Sequence, residues 1–175
     1  MRFLALSGSL RRGSTNTALL KAAALLAPSG TEVRVYSDLG NLPHFNPDLD
    51  ASSLPVVSDF WAQVRTADGL LISSPEYAHG VPGVLKNALD WLVGSDAFYQ
   101  KPVALLNASP LSTYAQASLV EIITTMAGYV APEASVELPL RGKPLDADTI
   151  ASTPDYAHVL RAALAAFRRA IEAQA

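Results

Sequence analysis

The chain has 175 residues, half of them hydrophobic, with 13 basic against 16 acidic side chains and no cysteine. One domain is the simplest expectation at this length. The missing cysteines exclude disulfides, thiolate metal sites and a cysteine nucleophile, and a net charge of −3 argues against a nucleic-acid partner. Phe3–Leu6 is a short apolar run ending at Ser7-Gly8, too brief for a signal-peptide core. Asn16–Ala27 turns helical, with Leu19, Leu20, Ala23, Leu26 and Ala27 on one face, and stops at Pro28 and Gly30; Lys21 interrupts it well short of a membrane span. The expectation is a cytoplasmic protein with no membrane partner.

Glu32–Tyr36 reads as a second strand. Asp38–Asp50, with Gly40, Pro43 and Pro47, reads as a loop, and Pro55–Thr66 as a helix with Val56, Val57, Phe60, Trp61 and Val64 on one face. Gly69–Ile72 is apolar throughout, as a strand covered on both faces would be. Pro82–Val93 is helical, Pro102–Leu106 a fourth strand, Tyr114–Met126 a fourth helix, Ala134–Leu138 a fifth strand and Tyr156–Ala173 a closing helix. Strands that alternate with helices predict an α/β fold, a parallel sheet with helices on both faces.

In such a sheet ligands bind beyond the carboxyl ends of the strands, where strand order reverses. The loop after the first strand, Ser7 to Asn16, carries serines, a threonine, Arg11, Arg12 and Asn16 at a helix N-terminus, which is a ready anion site. It lacks the lysine of a triphosphate loop, since Ser14 stands there, and the second glycine of a dinucleotide loop, since Leu10 stands there. A terminal phosphomonoester suits it best; a plain N-cap at Ser14 or Thr15 is the alternative. The loop after the third strand, Ser73 to Gly83, holds Pro75-Glu76-Tyr77, whose main-chain groups and aromatic plane suit a flat heteroaromatic ring; a simple surface turn would also fit. Asn107 to Ser112 would form the opposing wall.

Gly8-Ser9-Leu10-Arg11 with Ser14 and Asn16, then Pro75-Glu76-Tyr77, then Pro82-Gly83-Val84-Leu85-Lys86-Asn87-Ala88-Leu89-Asp90-Trp91 resemble the NADPH-dependent FMN reductase family over residues 1 to about 110. The resemblance implies a flavodoxin-like, five-stranded parallel sheet of order 2-1-3-4-5 binding FMN. It implies that Ser9, Arg11, Ser14, Thr15 and Asn16 hold the phosphate and that Pro75, Glu76, Tyr77 and Ala78 border the flavin, with Ser109 a further contact. Two departures stand out: Ala78 where the family often has asparagine, and Ala108-Ser109-Pro110 where many members are glycine-rich.

The implied activity is transfer of two electrons from NAD(P)H through FMN to a small-molecule acceptor such as a quinone, azo compound or free flavin, in ping-pong order. A homodimer or homotetramer is implied as well. Trp91, beside Asp90 and off the aligned apolar face, reads as a subunit contact, or else as a wider buried stripe. His79, two residues after Tyr77, reads as a neighbour of the acceptor pocket or as a solvent-facing loop residue. Three other readings stay open: a non-enzymatic flavin-binding electron carrier, a Rossmann-type dinucleotide enzyme with Asp38 on a ribose hydroxyl, and a metal-free phosphate-binding regulatory domain.

Overall fold

The computed structural model describes residues 1–140, 142 and 145–174. Its chain order is β1 (Arg2–Ser7), α1 (Thr15–Leu25), β2 (Glu32–Val35), α2 (Pro55–Thr66), β3 (Gly69–Ser73), α3 (Gly83–Val93), β4 (Pro102–Asn107), α4 (Thr113–Thr125), β5 (Tyr129–Val130), β6 (Val136–Glu137), α5 (Ala147–Ser152) and α6 (Pro154–Glu172). The sheet order is β2-β1-β3-β4-β5, with β6 also on β4, and every pairing is parallel. This is the flavodoxin-like order, with its switch point between β1 and β3.

Side chains on successive strand residues face opposite sides, and the two cores follow from that. Phe3, Ala5, Leu71, Ala104 and Leu106 pack under α1, α5 and α6. Leu4, Leu6, Leu70, Ile72, Val103 and Leu105 pack under α2, α3 and α4. The central strands are buried on both faces, which is why they read as unbroken apolar runs.

The expected fifth strand, Ala134–Leu138, is instead two short pieces around a 3-10 turn at Pro132–Ala134. Pro132 has no N–H to give a ladder, so the edge breaks there. Ser135 bridges the gap: its Oγ accepts from Leu105 N at 3.1 Å and donates to the Ala131 carbonyl at 2.9 Å. The short α5 was not foreseen, because six residues are too few for helical periodicity to register; its N-cap is Asp146, which accepts from Thr149 N at 2.8 Å.

Trp91 corrects a second expectation. It is 1% exposed, donates from Nε1 to the Pro43 carbonyl at 2.8 Å, and meets Phe45 edge-on at 5.2 Å. One turn earlier Asn87 donates to the same carbonyl at 3.0 Å and accepts from Phe45 N at 2.8 Å. These two residues fasten the long 38–50 loop to α3, so the wide buried stripe is the correct reading and Trp91 gives no ground for a subunit contact. No described helix is long and apolar enough to cross a membrane.

Candidate active site

Register places the site. Ser7 pairs with Ser73 across β1 and β3, so the two loops leave the sheet at one level. Gly8 N donates to the Ser73 carbonyl at 2.9 Å, and a Cβ on Gly8 would lie 2.6 Å from Ser74 Oγ. Only glycine permits that approach.

The first loop is held open from within. Ser7 Oγ shares a 2.7 Å hydrogen bond with Thr17 Oγ1, Arg11 N donates to Ser9 Oγ at 3.4 Å, and Ser14 N donates to the Arg11 carbonyl at 3.1 Å. Ser14 is the N-cap of α1, its Oγ accepting from Thr17 N at 3.4 Å. Ser9 and Ser14 thus spend lone pairs on the loop and keep hydroxyl protons to donate. Among the described residues the amides of Arg12, Gly13, Thr15 and Asn16 have no acceptor. Asn16 Oδ1 accepts from the buried Ser73 Oγ at 3.0 Å, which fixes the carboxamide with its NH₂ as the free end. Arg11 has no carboxylate partner among the described residues.

The second loop closes on itself. Tyr77 and Gly80 exchange two backbone hydrogen bonds, 3.2 and 2.9 Å, around Ala78 and His79, which both have positive φ, 48° and 58°. That is the backbone of a type I′ turn, built here without the usual glycine or asparagine. The amides of Glu76, Ala78 and His79 have no acceptor among the described residues. The Glu76 side chain turns away, its Oε2 accepting from Ala115 N at 2.9 Å at the start of α4, where a carboxylate is favourable to the helix dipole. Across the gap, Asn107 Oδ1 accepts from Ser109 N at 3.0 Å, and Asn107 Nδ2 donates to Glu137 at 3.0 Å.

These loops enclose a cleft of ≈ 530 Å³, lined among others by Arg11, Thr15, Asn16, Pro75, Glu76, Tyr77 and Ser109. Of the residues singled out from sequence, Ser9, Ser14 and Ala78 do not line it; Ser14 lines the adjoining cleft instead. His79 does line it, stacked on Tyr114, and so do Leu111 and Ser112. Tyr114, Leu111 and Ser73 gave no sequence signal beyond their place near strand ends. Asp38, which the dinucleotide reading required for a ribose, accepts from Ser37 and Asn41 instead, at 3.0 and 2.8 Å.

The family model for NADPH-dependent FMN reductase matches residues 1–142. The chain belongs to this family. The match runs beyond the 110 residues over which the motifs alone were similar and takes in the third loop. Among its relatives, an NAD(P)H-dependent FMN reductase of Pseudomonas aeruginosa is 42% identical over 112 residues, 62% of this chain and 60% of that protein. A 2-hydroxy-1,4-benzoquinone reductase of a Burkholderia species is 45% identical over 105 residues, 58% of this chain and 57% of that protein. The matched segments thus span about three-fifths of these relatives. The structure of FerB, a flavoenzyme NAD(P)H:(acceptor) oxidoreductase from Paracoccus denitrificans, superposes with TM-score 0.86 at 28% identity, over 98% of this chain and 97% of that one.

Proposed function

We propose that this family member is an FMN-dependent oxidoreductase that passes two electrons from NAD(P)H to a small flat acceptor, with a quinone as the favoured class. The donor chemistry of the cleft fits FMN. Its volume of ≈ 530 Å³ lies within the range of cofactor sites. At one end stand the free amides of Thr15 and Asn16, the Asn16 NH₂, the Thr15 hydroxyl and the Arg11 guanidinium, and the adjoining stretch of the same loop adds the free amides of Arg12 and Gly13 and the hydroxyl protons of Ser9 and Ser14. This is a donor set for a dianionic phosphate at a helix N-terminus. At the other end Pro75, Glu76 and Tyr77 offer main-chain donors and acceptors to a ring edge, with the free Ala78 amide next in the turn, and Ser109 also lines the cleft.

When bound, FMN supplies the two-electron redox chemistry, and the protein supplies binding and orientation. Glu76, turned into the N-terminus of α4, keeps its charge off the ring. Tyr77, 58% exposed, and the His79–Tyr114 stack leave an aromatic mouth against which flat reductant and acceptor rings can lie. The juxtaposition of this anion cradle with the 75–80 turn across β1 and β3 is the observation that carries the reading; the quinone-reducing relative supports the acceptor class.

An absorbance spectrum of the purified protein, before and after anaerobic NADPH, tests it. Flavin bands that bleach on addition and return with a quinone are expected. A protein that neither carries nor takes up FMN would overturn the proposal, and a flavin that NADPH leaves oxidised would reduce it to an electron carrier.

A further inference from the structure

Two contacts cross from the turn after β3 to the first turn of α4, and they land on consecutive residues. The Glu76 carboxylate accepts from Ala115 N at 2.9 Å, and the His79 ring lies on that of Tyr114 with centroids 4.2 Å apart. The helix does not cap itself. Its N-cap, Ser112, makes no side-chain hydrogen bond to the first turn, and the amides of Thr113 and Tyr114 have no acceptor among the described residues. Ala115 N belongs to the same set of donors that a helix leaves unmatched, and Glu76 is what satisfies it. A carboxylate from another loop thus takes the place of a serine or aspartate side chain at the N-cap. Its charge faces the positive end of the helix dipole.

Both segments joined by these contacts shape the proposed flavin cleft. In the 75–80 turn, Ala78 and His79 hold positive φ, 48° and 58°, a conformation unfavourable to either side chain. In the third loop, Ser109 accepts from Leu111 N through Oγ at 3.2 Å and from Ser112 N through its carbonyl at 3.1 Å. That compact turn runs directly into α4 at Thr113, and Ser109, Leu111 and Ser112 line the cleft. The place where α4 begins therefore decides where this wall stands, and the Glu76 cap holds that beginning against the second loop.

We infer that Glu76 is a positioning residue for the electron acceptor. By capping α4 from the neighbouring loop it keeps Tyr114 stacked on His79 and fixes the aromatic wall for the acceptor ring. Its side chain acts through Tyr114 rather than on the acceptor. The inference rests on the proposed function, in which that wall meets a flat acceptor. Glutamine at this position keeps an oxygen for Ala115 N, whereas alanine removes the cap altogether.

The test compares Glu76→Ala, Glu76→Gln, Tyr114→Ala and the double variant Glu76→Ala/Tyr114→Ala by quinone kinetics and by amide hydrogen exchange. Glu76→Ala should speed exchange at Ala115 about tenfold, the size of one charge-assisted hydrogen bond. It should also raise KM for the quinone several-fold, with kcat changed less, and Glu76→Gln should restore most of both. Because the effect passes through Tyr114, Glu76→Ala should add little to KM once Tyr114 is alanine. Should Glu76→Ala lose exchange protection throughout β1 and β3, and so be unfolded, Glu76→Asp, one methylene shorter, takes its place in the comparison. Factors in KM that simply multiply in the double variant would overturn the inference. So would an Ala115 amide that exchanges as in the parent, or a faster one with KM unmoved. A parent protein that reduces no quinone fails earlier, at the proposed function; it removes the acceptor role, and faster exchange at Ala115 would then report the cap alone.

Discussion

The imidazole of His79 lies flat on the phenol ring of Tyr114, with centroids 4.2 Å apart and planes 13° from parallel. It joins the turn after β3 to the first turn of α4. His79 lines the proposed flavin cleft, and Tyr114, 57% exposed, stacks on it. Such a stack contributes about 0.5–1.5 kcal/mol beyond the area it covers.

Tyr114→Ala should therefore raise KM for quinones several-fold, with a smaller rise for His79→Ala. FMN affinity should not change, because neither side chain belongs to the phosphate cradle. Steady-state kinetics beside a flavin fluorescence titration separates the two effects. Unaltered KM in both variants would place the acceptor elsewhere.

The same turn carries strain. Ala78, with φ 48°, occupies the left-handed region without the asparagine or glycine that suits it. Ala78→Asn should stabilise the protein by about 1 kcal/mol, and Ala78→Val should destabilise it by at least as much, since a branched Cβ is worse there. Urea midpoints of the two variants check the sign.

Ser73 is fully buried and gives its hydroxyl proton to Asn16 Oδ1 at 3.0 Å. Ser73→Ala releases the carboxamide from its fixed orientation. FMN binding should weaken by about 1.5 kcal/mol, roughly tenfold, with little change in thermal midpoint. Gly8→Ala, which drives a Cβ into Ser74 Oγ, should weaken it further. Flavin dissociation constants measure both.

Trp91→Ala removes a buried ring, its hydrogen bond to Pro43 and its contact with Phe45. The expected cost is about 3–5 kcal/mol, with faster hydrogen exchange at the Phe45 amide. Because the ring is internal, the sedimentation coefficient of the folded fraction should not change. A dissociated assembly would restore Trp91 to a subunit interface.

The Thr149 hydroxyl and amide hold the Asp146 carboxyl below its ordinary 3.8. A carboxyl depressed in the folded state stabilises it above the unfolded value, and that contribution is lost as pH falls through the folded value. Asp146→Asn keeps an oxygen to cap α5 without a titrating proton. Its stability should drop less steeply than the parent's below about pH 4, seen in urea midpoints across an acid series.

Much of the sheet was legible because β1, β3 and β4 are covered on both faces and carry their signal in unbroken apolar runs. The edge was not: β5 and β6 are two residues each and are divided by Pro132, so no period could develop. Trp91 misled because helical periodicity counts a single buried face. The 38–50 loop, which has no period of its own, folds over a second face of α3 through Pro43 and Phe45.

The order of residues along the chain determined the alternation of strands and helices, the polar loop before α1, the Pro75-Glu76-Tyr77 turn and, through them, the family. What lies close at hand to each chemical group was decided only in three dimensions. The parallel β1–β3 register sets Ser7 beside Ser73 and brings Asn16 under Ser73's hydroxyl, while packing of α4 against the second loop turns Glu76 onto Ala115 N. The reason is physical: local periodicity reflects which side of an element is buried, whereas these pairings join residues tens of positions apart, and only the sheet's hydrogen-bond ladder and core packing choose among such contacts.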